Sequence, residues 1–247
     1  MMRVLPLSLV CGALLALPVH AAEHAAAPKR AVSLPPSADL DYSIKARQRG
    51  FSLSGNATVS WRAGQGKYSL SAVTNAMLLG KILENRSEGH IDAWGIAPLQ
   101  FYEKRFRKEP ATTSFDREAN TITFTDGKLS YKLHGGEQDR ASASWQLQAF
   151  ARGAPDKFTP GSEWTMFVAG RRDAENWTFK VAGNENVHTG VGDIEAVHLV
   201  KAPPPDSRDQ TVDIWLAPSL EWYPVRLKFT DADGEYVEQT LEKLTRK

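Results

Sequence analysis

A mainly β chain, built on a large curved antiparallel sheet or incomplete barrel with one helix around residues 139–153, is what the sequence predicts. Three observations carry that prediction. Residues 51–62 alternate without a break, with Phe51, Leu53, Gly55, Ala57, Val59 and Trp61 on one side and Ser52, Ser54, Asn56, Thr58, Ser60 and Arg62 on the other. A strand points successive side chains to opposite faces, so this pattern describes a strand with one buried and one wet face. Similar segments recur along the chain between turn signals, and only the stretch after Asp139 offers a substantial helix.

The elements follow in order. Residues 1–21 place Arg3 before an apolar run from Val4 to Val19 and small residues at the end, the layout of a secretory signal peptide. Cys11 lacks the Leu, small, small order that precedes an acylated cysteine, so it is read as part of the leader. Residues 22–37, rich in Ala and Pro, are expected as a flexible linker, and residues 38–247 as a single mainly-β domain. Leu40, Tyr42, Ile44 and Ala46 alternate with Asp41, Ser43, Lys45 and Arg47, and Gly50 turns this strand back into the Phe51 strand. Tyr68, Leu70 and Ala72 begin a third strand. Residues 75–84 (NAMLLGKILE) break the alternation and are apolar all round, which predicts a buried bend or short helix.

Strands are then expected over 84–92 and 96–106. Asp126-Gly127 predicts a tight type I′ hairpin pairing Phe124 with Leu129 and Ile122 with Tyr131. Asp139 is expected to cap the helix that carries Trp145, Ala149 and Phe150 on one side. Strand patterns return at Trp164-Met166-Val168, Trp177-Phe179-Val181, Val212-Ile214-Leu216 and Val225-Leu227-Phe229. Residues 202–210 (APPPDSRDQ) read as a loop, and Asp231–Gly234 turns the chain into a last strand ending near Leu244.

Composition limits the function classes. The chain of 247 residues holds 30 Lys and Arg against 29 Asp and Glu and one cysteine. Loss of residues 1–21 would remove that cysteine and Arg3, leaving charge balanced and stability dependent on a packed core. No basic nucleic-acid surface follows from this balance. Alternating strands of about ten residues also suit an outer-membrane barrel. The charged outward positions and the absence of a terminal aromatic argue against one, so no integral membrane protein is expected.

Chemistry-bearing motifs are scarce. His24, His90, His134, His188 and His198 show no zinc spacing, and His198 with the nearby Glu195 suits a hydrogen-bonded strand histidine better than a ligand pair. No nucleophile elbow is present, and the glycines at 64, 66, 183, 190 and 192 lack the following helix that phosphate binding needs. Asp231 and Asp233 fall in a turn, where Asp satisfies its own backbone. No catalytic residue, metal or cofactor is therefore expected. Seven tryptophans remain, and buried indoles normally mean core packing. The functional alternative is that Trp61, Phe101, Trp164, Trp177 and Trp215 line a cavity for an apolar ligand. Arg105, Arg107 and Lys108, beside Phe101 and Phe106, form a short basic and aromatic cluster suited to a solvated strand end or to contact with an anionic lipid head group or cell-wall polymer.

Four stretches together resemble a widespread family of exported Gram-negative proteins carrying a domain of unknown function. They are Ser87–Ile91 with Pro98 and Phe101, the segment after Asp139, Gly183-Asn184-Glu185 through Thr189 to Gly192, and Ile214–Pro218 leading to Tyr223-Pro224-Val225-Arg226. The resemblance covers about Asp39 to the C-terminus and implies an exported protein without assigned catalytic residues. Trp215–Arg226 is also similar to a pattern in the periplasmic lipoprotein carriers, which implies an incomplete barrel around an apolar cavity. The expected function is a periplasmic, non-enzymatic binding or carrier protein for a lipid or other apolar small molecule. The alternatives are an envelope module that binds a protein partner by strand addition, and a cell-wall or lipid hydrolase.

Overall fold

The computed structural model describes residues 24–203 and 209–247. The proposed leader, with Cys11, and residues 204–208 of the expected 202–210 loop lie outside the described residues. In chain order the strands are β1 (Ala38–Gln48), β2 (Phe51–Gly64), β3 (Lys67–Ala76), β4 (Gly80–Asp92), β5 (Gly95–Arg105), β6 (Ala111–Asp116), β7 (Thr121–Phe124), β8 (Tyr131–Lys132) and β9 (Gln138–Asp139). Helix α1 (Ser142–Gly153) follows, and then β10 (Glu163–Ala169), β11 (Ala174–Thr189), β12 (Gly192–Lys201), β13 (Thr211–Leu216), β14 (Pro224–Thr230) and β15 (Tyr236–Arg246).

All fifteen strands hydrogen-bond in one order, β8-β7-β6-β5-β4-β3-β2-β1-β15-β14-β13-β12-β11-β10-β9. The class is mainly β with one helix, as the alternation predicts. The curved sheet or incomplete barrel is corrected: β8 and β9 are the two edges, they share no ladder, and the sheet neither closes nor curls strongly. Each edge strand is only two residues long, too short to carry a closing ladder. Two wings result, β1–β8 and β9–β15, whose backbones meet at the antiparallel β1–β15 pair. Every neighbouring pair is antiparallel except β9 with β10.

Helix α1, side-chain hydrogen bonds and two apolar clusters shared by both wings make the other connections between them. From α1, Gln146 reaches the first wing, its Oε1 accepting from Ile96 N at 2.8 Å and its Nε2 donating to Trp94 O at 2.6 Å. Gln148 Nε2 donates to Glu221 O at 3.0 Å in the second wing, where the Arg152 guanidinium also meets the Glu221 carboxylate. Trp145 stacks on Trp61 with centroids 4.6 Å apart and stands edge-on to Tyr223. Beyond the helix, Thr113 Oγ1 donates to Gly170 O at 2.7 Å. Because α1 is buried nearly all round, its glutamine NH2 groups turn to carbonyls in the protein, which lie on opposite wings, while Gln148 Oε1 has no protein partner among the described residues.

The expected row of β1 is present: Leu40, Tyr42, Ile44 and Ala46 are all buried, and Ala38 joins them. Residues 24–37, read as a tether from composition, pack along the body. Ser33 N donates to Ala149 O, Trp61 Nε1 to Pro35 O at 3.1 Å, and Trp94 Nε1 to Ala27 O at 3.0 Å. The Ile122–Tyr131 pairing forms, but the loop between β7 and β8 runs from residue 125 to 130 and neither Asp126 nor Gly127 has positive φ. Asp126 Oδ2 instead accepts from Arg171 Nε at 2.5 Å and Arg172 Nε at 2.9 Å, which draws the loop out of the tight turn. A bulge at Gly89 brings the backbone so near Ala97 O that a Cβ there would lie 2.2 Å from it.

The N-cap of α1 is Ala141 rather than the expected Asp139, which lies two positions earlier and bonds the first amides of the helix. Asp139 Oδ1 accepts from Ala141 N and Ser142 N, both at 2.8 Å, while Ser142 Oγ accepts from Asp139 N at 2.9 Å. Oδ2 accepts from Ser87 Oγ at 2.5 Å, and Ser87 Oγ in turn meets Tyr68 OH at 2.7 Å. Burial pushes the Asp139 carboxyl up to about 6, against the downward pull of Ser87, Ser142 and Ala141. Between the ordinary range near 3.8 and about 6, the folded state holds a proton that the unfolded chain releases. Stability from this group is therefore complete below pH 4 and lost as pH rises through 6. Substitution Asp139→Asn removes that dependence. The stability of Asp139→Asn relative to the parent, from urea denaturation, should rise by on the order of 3 kcal/mol between pH 4 and pH 7. A constant difference would contradict the assignment.

Candidate functional site

The five aromatics singled out for a ligand site do not form one group. Trp61 and Trp215 belong to the cluster around β1, Trp164 and Trp177 to the cluster between α1 and β10–β13, and Phe101 to a third beside β6 and β7. Each is at most 8% exposed. Trp164 stacks on Phe158 with centroids 4.1 Å apart, and Trp177 meets Phe179 edge-on. Concavities among the described residues include those beneath His24–Arg30, beside Leu34–Pro36, and between Asn184 and Glu195. None has any of the five aromatics in its wall.

The densest polar constellation surrounds Trp215. Ladder pairing sets His198 of β12 opposite Trp215 of β13, and Trp215 opposite Arg226 of β14. The imidazole lies flat on the indole, centroids 4.2 Å apart, and the Arg226 guanidinium lies over its ring. Trp215 Nε1 donates to Glu185 Oε2 at 2.8 Å. His198 Nδ1 faces Glu185 Oε1 at 2.7 Å and Nε2 faces Asp213 Oδ1 at 2.8 Å. Carboxylates accept only, so this geometry requires both ring nitrogens to donate, and the imidazolium fits it. Burial pushes the His198 pKa down, but Asp213 and Glu185 outweigh it and the net direction is up. No hydroxyl hydrogen-bonds to His198 among the described residues, and the cluster is a charge clamp across four neighbouring strands, β11–β14. The carboxylates of Asp231, Asp233 and Glu235 approach one another on an exposed turn, where Gln210 and the backbone already engage them.

The feature that stands apart from all packing is the loop rim. In an up-and-down run of antiparallel strands, alternate turns fall at the same end, so the β1–β2, β3–β4 and β5–β6 turns share one end of the sheet. There Gln48 pairs with Phe51, Met77 N donates to Ser54 O, and Phe106 N donates to Ile82 O at 2.8 Å. Gly80, at φ +67°, closes the middle turn. Six large apolar side chains lie open here: Phe51 (70% exposed), Leu53, Met77 (78%), Leu78 (90%), Leu79 and Phe106. Two expectations are corrected by this. Residues 77–79 form an exposed turn between strands, not a buried bend or helix, and the inward row of β2 becomes covered only from Ala57 onward.

Cations flank the apolar tips. Residues 47–53, 77–82 and 104–109 hold seven Lys or Arg and one carboxylate, Glu109. Arg105 bonds Glu103, Lys81 bonds Glu84 at 2.6 Å, and Lys104 Nζ donates to Lys108 O at 2.6 Å. Arg107 lies over the Phe106 ring with its guanidinium 4.9 Å from the centroid. Sequence reasoning found the Arg105–Lys108 cluster but missed residues 77–79 as part of the same surface. The signal was present as three consecutive apolar residues followed by Gly80.

The family model described as "Protein of unknown function (DUF3108)" matches residues 41–242, and the chain belongs to that family. No curated protein matches it. Among solved structures, a domain named for outer membrane lipoprotein sorting from Vibrio parahaemolyticus is 9% identical over 86% of each chain, with a TM-score of 0.32. An exported protein of YmcC-like fold from Bacteroides fragilis is 9% identical over 87% of this chain and all of its own, at 0.35. The lipoprotein LppX of Mycobacterium tuberculosis is 10% identical over 83% of this chain and 86% of its own, at 0.28. Overlaps this loose carry no argument about function. Among the described residues no helix is long and apolar enough to cross a membrane.

The clamp has a pH signature. Stability from a histidine whose pKa is raised on folding is complete below about 6.5 and lost as pH rises through the folded value. The stability advantage of the parent over His198→Gln, measured by urea denaturation from pH 5 to 9, should shrink as pH rises above 6.5. An advantage independent of pH would contradict an imidazolium at this site.

Proposed function

We propose that this protein is a non-enzymatic binding or carrier protein for a lipid-like, apolar component of the bacterial envelope, exported to the periplasm and acting as one unit over residues 38–247. The observation that carries this reading is the set of six exposed apolar side chains on one rim. Covering a Leu, Phe or Met side chain is worth about 1.5–3 kcal/mol, so a rim held open in water is a surface ready for an apolar ligand. Trp61, Phe101, Trp164, Trp177 and Trp215 supply inner apolar surface for an acyl chain that passes the rim. Access would require the wings to part, and beyond the β1–β15 ladder the described contacts between them run through α1 and side chains.

Strand addition to a protein partner draws less support, because the open edges β8 and β9 offer two residues each. Catalysis draws none from the clamp, whose histidine is held between two carboxylates. Mass spectrometry of the protein purified under native conditions should find co-purifying acyl lipid, and the stripped protein should take up a fluorescent fatty acyl probe. Absence of both lipid and probe uptake would overturn the proposal.

A further inference from the structure

We propose that the rim formed by the β1–β2, β3–β4 and β5–β6 turns is a docking surface for an anionic phospholipid bilayer. The inference rests on the lipid-binding reading above in one respect, that a bilayer is where such cargo would be collected or delivered. Its own argument is geometric and electrostatic. The apolar side chains sit on the tips of neighbouring hairpins, and Leu78 at the apex of the middle turn is the most exposed of them. Tips of this kind can enter the acyl boundary of a bilayer without uncovering core, because the strands behind them are already paired.

The charges fit the same partner. Of the seven Lys or Arg in the rim segments, Arg105 and Lys81 are paired with Glu103 and Glu84, whereas the Arg107 and Lys108 side chains have no carboxylate partner among the described residues. Phosphate headgroups lie at the depth such flanking cations reach when apolar tips are inserted. A second copy of the chain would bring an equally basic rim against this one, which like-charge repulsion opposes. On the far side of β1 the patch ends at an acidic turn, where Glu235 accepts from Arg49 N. The surface is therefore polarised, with its cationic side over β3–β6.

Vesicle co-sedimentation of the full chain tests the inference, with phosphatidylcholine alone against phosphatidylcholine mixed with phosphatidylglycerol. The parent should bind the anionic vesicles, and added salt should weaken that binding. Leu78→Ser with Leu79→Ser should abolish binding to them. Arg107→Gln with Lys108→Gln should weaken it by about tenfold or more, since each cation near an anionic surface is worth about fivefold. These positions lie on exposed turns, and unchanged thermal unfolding verifies that the variants fold. Failure of the parent to bind either vesicle, or equal binding by parent and both variants, overturns docking. Loss of a dimer in the Leu78 and Leu79 variant, without any vesicle binding by the parent, also overturns it in favour of self-association. Acyl-probe uptake is measured on the same samples. Uptake without vesicle binding removes the docking surface alone, whereas vesicle binding with neither co-purifying lipid nor uptake removes the carrier reading and leaves docking in place.

Discussion

The structure depends on the burial of one polar-studded helix. Helix α1 lies where the two wings approach each other; its Gln146 and Gln148 side chains are taken out of water, and Arg152 is half-buried beside Glu221. A buried amide without a partner costs about 1–3 kcal/mol, so these groups fix the wings at the positions where Trp94, Ile96 and Glu221 can answer them. Asp139 extends the same constraint, because one carboxylate bonds the first amides of the helix and also holds Ser87 of β4. The sheet can therefore stay open at β8 and β9 while its two halves keep a defined relation.

A consequence follows for where apolar surface can be used. The three inner clusters are packed against α1 or between wings, so their aromatics serve stability first. The rim lies beyond the reach of that packing, at the ends of strands that overhang the body. Apolar residues there gain nothing from the fold, and a basic border keeps them soluble while favouring an anionic surface.

Much of this was legible in the chain. The alternation of β1, β10, β11 and β13 gave their buried rows directly, and Asp139 with the apolar positions after it marked the helix. The failures have physical causes. Alternation at Phe51 and Leu53 tells which face a side chain takes, but not whether anything covers that face. The run at 77–79 reads as buried because apolarity is the only local cue, and exposure is set by where the neighbouring turns end. His198 finds Glu185 and Asp213, on the adjacent strands, whereas its neighbour in sequence, Glu195, bonds Asn184. Ladder register decides that choice, and register is a long-range property. The open edges escaped for the same reason, since strand count does not reveal whether the last strands are long enough to pair.

The central claim is that the working apolar surface is the outer rim. Hydrogen exchange followed by mass spectrometry, on the parent with and without anionic vesicles, tests it most directly. Exchange should slow only in residues 49–53, 77–82 and 105–108, with α1 unchanged. Slowed exchange in residues 142–153 or at the β8 and β9 edges, with the rim unaffected, would contradict it.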